Sequence, residues 1–226
     1  MLKKSNLVGE SDSHIVSSAN GVRLQGEALE AFAELQEQAR SRGFDLRAAS
    51  SFRNQARQLA IWNKKARGEL PVLSSEGVEV SLGGLSEKER VFAILRWSAL
   101  PGASRHHWGT EVDVYDAGAL NAGEQLKLTP EETEFGGPFY PMYQWLEPYL
   151  HASGCCFFRP YAVDLGGVAP EPWHLSYEPL AGQAQAALSE ALLVQSISSL
   201  DIELGETVLA HMSEIYQRFV INVCSR

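Results

Sequence analysis

The chain has 226 residues, 45% of them hydrophobic, with 28 acidic and 19 basic residues and a formal net charge of −9. A chain of this size buries roughly 70% of its unfolded surface, which is enough for one core without a disulfide framework. The acidic balance and the absence of a dense Lys/Arg cluster argue against a nucleic-acid partner, and no run approaches the ~18 apolar residues of a membrane span.

Met1-Leu2-Lys3-Lys4 is followed by polar residues rather than an apolar stretch. No export signal is visible, so the expected location is the cytoplasm, with the periplasm or cell wall as the alternative. Residues 1–20 are polar and predict an arm or a loose first turn. From Leu24 the apolar residues Ala28, Ala31, Phe32, Leu35 and Ala39 fall at helical spacing, with Gly43 as the stop. Residues 44–49 predict a short strand and residues 55–66 a second helix. The stretch 68–85 is rich in Gly, Ser and Pro and predicts a surface flap. Ser86-Glu87-Lys88-Glu89 has the spacing of a capping box and opens a helix that runs to about Trp97. Residues 110–115 alternate as a strand, 117–138 are loop-rich, and 141–151 predict a helix. Residues 156–163 and 173–177 predict further strands, and the chain is mainly helical from Gly182, with a break near Gly205. The order predicts one α+β domain: a small, mainly antiparallel sheet flanked by helices, over residues 21–180 with the insertion at 68–85. Residues 181–226 add helices to the same domain. The three cysteines, Cys155, Cys156 and Cys224, are an odd number and contain no Cys-x-x-Cys pair. They read as reduced thiols, not as a zinc site.

Two local patterns among the six histidines bear on chemistry. In Ser104-Arg105-His106-His107-Trp108-Gly109-Thr110-Glu111-Val112-Asp113-Val114, a histidine precedes a glycine and an aspartate follows on a strand. Alternation puts Glu111, Asp113 and Tyr115 on one face and Val112 and Val114 on the other, so the valines belong to the core and the carboxylates to a cleft. In Glu171-Pro172-Trp173-His174, the histidine points away from Trp173 and Leu175. Two histidines and one carboxylate would leave a fourth zinc position open, as catalytic sites require. A surface Asp113 and a core-packed Trp173-His174 are the bland alternatives. His107 as a fourth ligand would make a closed structural site, but adjacent residues of an extended chain point apart.

These patterns resemble the Ser-x-His-x-x-Gly-x-Ala-x-Asp and Glu-x-Trp-His motifs of the D-alanyl-D-alanine carboxypeptidase (VanY-like) family of zinc metallopeptidases, whose wider group includes the hedgehog signalling domain. Ser104, His106, Gly109 and Asp113 fit the first motif, and Glu171, Trp173 and His174 the second. Ser51-Phe52-Arg53-Asn54, with Gln58, is similar to the family's Ser-Tyr-Arg-Ser-x-x-x-Gln segment. The resemblance implies one zinc ion per chain, held by His106, Asp113 and His174, with Glu171 as general base. It implies that Arg53 holds the substrate carbonyl or carboxylate and the developing oxyanion. The implied fold is that of the hedgehog and DD-peptidase group. The implied substrate is a peptidoglycan stem peptide, cleaved by zinc-bound water to release a terminal D-Ala. An L,D-carboxypeptidase or an endopeptidase is a variant of the same reading. A zinc-bearing binding module without turnover is the alternative from another class, and the presence of Glu171 argues against it. Ser104 and Gln58 are candidate substrate contacts, as is Tyr115, and Trp108 is a candidate substrate contact on the pocket wall or, equally, a core aromatic. Glu111 stands where the family usually has Ala and is read as a substrate contact on the cleft face, with an internal ion pair to Arg53 or Arg105 as the competing role.

Overall fold

The structure, a computed structural model, describes residues 2–75, 77–121 and 123–225. The remaining residues of the expected arm, flap, second loop and C-terminal segment lie outside the described residues.

The helix expected from Leu24 onward is α2, Gly26–Ser41, and Gly43 just beyond it has φ 89°. Counting from the start of the chain, it is preceded by the single turn α1 (Lys4–Leu7) and the two-residue strands β1 (Val16–Ser17) and β2 (Arg23–Leu24). Strand β3 (Leu46–Ser50) leads into α3 (Gln55–Ala66), capped by the Asn54 side chain accepting from the Arg57 N–H. The capping box predicted at Ser86 and Glu89 forms and opens α4 (Glu87–Leu95). Strand β4 (Glu111–Asp116) follows, then the short helix α5 (Pro130–Thr133) and α6 (Tyr140–Leu150). The strand expected over 156–163 is only β5, Phe157–Phe158. Beyond it the chain runs through Arg159-Pro160 into loop, since proline has no N–H to give to a sheet ladder. Strand β6 (His174–Tyr177) passes directly into α7 (Glu178–Ala187), followed by α8 (Glu190–Ile197), α9 (Gly205–Ala210) and α10 (Met212–Ile215).

The main sheet is antiparallel throughout, in the order β3-β4-β6-β5. Its apolar face carries Val112, Val114 and Leu175, which pack with Phe32 and Leu35 of α2 and Met142 and Leu146 of α6. A second apolar cluster lies among α3, α4 and the C-terminal helices, built on Trp62, Ile94, Leu193, Met212 and Trp108. The strand register brings the polar residues into line: Asp113 sits directly opposite His174, and Glu111 opposite Ser176. An irregularity between Ala48 and Ser50 brings Ser50 beside Asp113 from the other side. No described helix is long and apolar enough to cross a membrane.

Residues 2–20 are not a free polar arm. Leu7 and Val8 are buried in the Trp108 cluster, and the Gly9 carbonyl accepts the Gln55 N–H at 2.8 Å. A Cβ on Gly9 would meet the His107 ring at 2.5 Å, so glycine is what lets this segment close on the rest of the fold. Two apolar residues in a polar stretch carry little periodic signal, yet they fill a site that the tertiary structure provides. Trp108 is not the substrate contact on the pocket wall but the core aromatic of the alternative reading: it is fully buried beneath the Arg105 guanidinium, 4.7 Å from its ring. Trp108→Ala is therefore expected to lower unfolding stability by about 3–5 kcal/mol, measured by denaturant titration, and equal midpoints for the two proteins would refute this assignment.

Candidate metal centre and cleft

His106 lies in the single 3₁₀ turn Arg105–Trp108, which ends at Gly109. That glycine has φ 67°, a conformation that favours glycine between the loop histidine and β4, and a Cβ there would also meet the Gln25 backbone N at 3.2 Å and displace the end of the Ile15 side chain. The turn is clamped to the segment before α3: the Arg53 N–H reaches the His106 carbonyl, and His107 Nδ1 donates to the Arg53 carbonyl at 2.6 Å. His107 Nε2 accepts from the Gly102 N–H at 3.1 Å. With both ring nitrogens engaged and burial pushing its pKa down to about 3, His107 is a neutral strut and not a ligand.

The hydrogen bonds fix the tautomers of the other two rings. A carbonyl only accepts, so His106 Nδ1, 2.9 Å from the Ser51 carbonyl, carries the proton and leaves Nε2 free. His174 Nε2 lies 2.8 Å from Glu111 Oε2, which leaves Nδ1 facing inward, 3.2 Å from both Asp113 Oδ1 and Glu171 Oε2. His106 Nε2 is 3.3 Å from Asp113 Oδ2. The three candidate ligand atoms of His106, Asp113 and His174 lie within 4.8 Å of one another, and all three residues are buried. Asp113 Oδ1 is buried without a well-oriented hydrogen-bond donor, despite its proximity to His174. Buried carboxylate oxygens are rarely left so, and an inward lone pair on each of two histidines beside one fits a divalent cation with an open fourth position. The electrostatics agree. Burial by itself lowers the His174 pKa, but its contacts with Asp113, Glu111 and Glu171 outweigh this and raise it well above the ordinary value. The site therefore attracts positive charge, whether proton or metal. Burial likewise opposes the charge on Asp113, and the two histidines hold its pKa far below the usual carboxylate range.

Glu111 is not on the open cleft face. It is fully buried behind His174, accepting from Ser176 Oγ at 2.8 Å and Thr110 Oγ1 at 2.9 Å, with Arg105 3.3 Å away. Burial would raise its pKa, but Arg105, His174 and Ser176 hold it down to about 2. Strand alternation correctly put Glu111 on the same face as Asp113, but Arg105 and α7 cover that part of the face: Arg105 also donates to Gln185 of α7 at 2.6 Å. The competing ion-pair reading, with Arg105 as partner, is what the structure shows.

The remaining candidates divide in the same way. Arg53, half-buried, donates to Gln58 Oε1 at 2.8 Å and Ser50 Oγ at 3.0 Å and faces the cleft with Glu171. Gln58 is fully buried and donates to the Ala99 carbonyl, so it orients Arg53 and does not itself reach the cleft. Ser104 lines the cleft, while the Tyr115 ring turns toward Phe139, 5.9 Å away. The cleft, about 260 Å³, is also lined by residues with no motif in the sequence: Lys65, Trp97, Tyr161 and, from the two loop-rich stretches, Leu73, Lys127 and Leu128. Tyr161 packs edge-on to His174 at 5.0 Å, and Trp97 stacks on Trp173 at 6.3 Å. Of these, only Lys65 had a usable sequence signal, its helical phase relative to Gln58. A larger groove, about 750 Å³, lies along α2 and β3 but is lined by none of the His/Asp cluster.

Because Glu111 fixes the orientation and tautomer of His174, Glu111→Ala is expected to weaken metal affinity about 10–100-fold while leaving substrate preference as it is. Competition with a chelating dye measures the first effect. Unchanged affinity would refute the role of Glu111 in orienting the ring.

Residues 21–180 match the D-alanyl-D-alanine carboxypeptidase (VanY) family. The chain is 35% identical to an uncharacterised protein of Haemophilus influenzae over 123 residues, covering 54% of this chain and 93% of that one. It is 25% identical to a D-alanyl-D-alanine carboxypeptidase of Enterococcus faecalis over 169 residues, 74% of this chain and 52% of that protein. Among solved structures it is similar to VanYB in complex with D-alanine-D-alanine, at a TM-score of 0.54 and 21% identity, covering 84% of this chain and 92% of that one. It is similar also to a zinc complex of the vancomycin-resistance D,D-pentapeptidase VanY, at a TM-score of 0.52 and 22% identity, covering 86% and 88%. The motifs, the antiparallel sheet that aligns them and the family match agree: the chain is a peptidase belonging to the D-alanyl-D-alanine carboxypeptidase family.

Proposed function

We propose that the protein is a zinc-dependent D,D-carboxypeptidase that removes the terminal D-alanine from peptidoglycan stem peptides. The observation that carries this reading is the convergence of two inward histidine lone pairs on the orphaned oxygen of Asp113, with a fourth side open to the cleft and Glu171 beside it. That the similar folds were solved with zinc and with D-alanine-D-alanine supports the choice of metal and substrate. His106 Nε2, His174 Nδ1 and Asp113 would hold the ion, which when bound acidifies a water molecule and polarises the scissile carbonyl.

The protein's own groups do the rest. Glu171 is held by its backbone N–H on the Tyr161 carbonyl, at 2.9 Å, so its carboxylate stays at the rim of the metal cluster without needing to be a ligand. There it takes a proton from the attacking water and returns it to the leaving amine, a role worth typically ~10²–10⁴-fold. Arg53 is aimed by Gln58 and Ser50, and its planar fork suits the oxygen on which negative charge develops. The Trp97–Trp173 stack walls the cleft.

Native protein is expected to contain about one zinc ion per chain and to release D-Ala from defined D-Ala-D-Ala-ended muropeptides, read by metal analysis and mass spectrometry. Release of a residue across an L,D bond would change the specificity, and absence of any transition metal would sink the reading. Glu171→Gln should retain the metal and lose ~10²–10⁴-fold in kcat; if the metal is lost with it, Glu171 belongs to the ligand set. Arg53→Lys keeps the charge but not the fork and should lose roughly 10–10³-fold in kcat/KM, whereas an unchanged value would assign the oxyanion to another group.

A further inference from the structure

Lys65 is the penultimate residue of α3 and stands seven residues beyond Gln58, hence on the same helix face. That face is buried at Gln58 and Trp62 and re-emerges in the cleft at Lys65. Arg53 enters the same cleft from the other end of the helix, roughly 18 Å away along the axis at ~1.5 Å per residue. Two cations on long side chains are thus brought toward one small space. They are not equivalent. Arg53 is tied down by Gln58 and Ser50. The Lys65 ammonium, half-buried, has no hydrogen bond or ion pair among the described residues. Burial lowers its pKa, Glu171 counteracts this from a distance, and Arg53 adds to it. Among the described residues no carboxylate lies within ion-pairing reach.

A partly buried ammonium without a partner is unfavourable until an anion meets it. Glu171 is the described carboxylate whose charge Lys65 feels, but it is turned toward His174, at 3.2 Å. Lys127, the other lysine at the cleft, is solvent-exposed and sits near Glu131. With Asp113 committed to the metal cluster, the described lining of the cleft holds more cations, Arg53, Lys65, Arg105 and Lys127, than carboxylates. We propose that Lys65 anchors the C-terminal carboxylate of the peptide substrate and so selects for removal of a terminal residue. This rests on the function proposed above and deepens it. A carboxypeptidase substrate carries two oxygens that need positive partners, the scissile carbonyl and, one residue away, the terminal carboxylate. Arg53 serves the first beside Asp113 and Glu171, and Lys65 the second. An ammonium suits this task because a terminal carboxylate can be met as a point charge from several directions. A side-chain carboxylate of the stem peptide offers the same chemistry, and the test separates the two sources.

The experiment compares the zinc-loaded full chain with its Lys65→Met and Lys65→Arg variants on three acetylated peptides. One ends in D-Ala-D-Ala with a free carboxylate, one carries the C-terminal amide, and one keeps the free terminus but has its acidic side chain neutralised. Lys65→Met is expected to lower the acid-to-amide ratio of kcat/KM by about 10–100-fold, mainly through KM, with partial rescue by Lys65→Arg and no change in zinc content or melting temperature. An unchanged ratio overturns the proposal. Loss of preference for the acidic side chain instead moves the anchor to that group and overturns it equally. Calorimetric binding of the same peptides to Glu171→Gln protein, with and without Lys65→Met, reads the anchor apart from turnover. A wild-type protein that cleaves none of the peptides, while its Glu171→Gln variant binds acid over amide through Lys65, would refute the proposed function and leave the anchor standing.

Discussion

The pairing of Asp113 with His174 across β4 and β6 is the constraint on which the rest of the molecule turns. Directly opposed residues of an antiparallel pair lie about 4.5–5.5 Å apart at Cβ, so two strands suffice to bring a carboxylate and an imidazole together. The pair is buried, and burial opposes the charge on Asp113. Only a nearby positive charge makes the arrangement favourable. His106 arrives from a tight turn to complete the set, and the cluster is left with lone pairs facing inward and no well-oriented donor among the described residues to satisfy Asp113 Oδ1. The fold therefore produces a cavity whose electrostatics call for a cation.

Around this pair, the chain spends much of its polar chemistry on orientation. Ser51 sets the tautomer of His106, Glu111 sets that of His174, and His107 pins the backbone of Arg53. Glu111 is itself held by Ser176, Thr110 and Arg105, and Arg105 is stacked on the buried Trp108. Each support ends in the core or in backbone, so ring orientations at the site inherit the rigidity of the packed interior. A buried Glu–Arg pair contributes little net stability; here it fixes the direction of one ring.

The cleft differs from its floor. The floor is made by strands and turns, whereas the walls come from the two loop-rich stretches through Leu73, Lys127 and Leu128 and from the end of α3 through Lys65. The His/Asp cluster is thus built on the sheet and its adjoining turns and the rim on the elements around them, a division expected when loops are carried by a fixed scaffold.

Several features were legible in the sequence because their physics is local. The 3.6-residue spacing of Ala28, Phe32, Leu35 and Ala39 defines α2, and the Ser86–Glu89 box opens α4. The alternation of Val112 and Val114 with Asp113 assigns the two faces of β4. The motif spacings singled out His106, Asp113 and His174, which the structure brings together, with Arg53 and Glu171 alongside. What the sequence could not decide is which polar residues on a given face remain open to solvent. Glu111 and Asp113 share a face by alternation, but only the packing of Arg105 and α7 over one end closes off Glu111. Gln58 and Lys65 share a helix face, but only the second emerges in the cleft. Leu7 and Val8 look like isolated apolar residues until the Trp108 cluster receives them. Local periodicity determines direction, whereas burial depends on what distant segments place in that direction. The tertiary structure therefore decided which members of each face could serve the site.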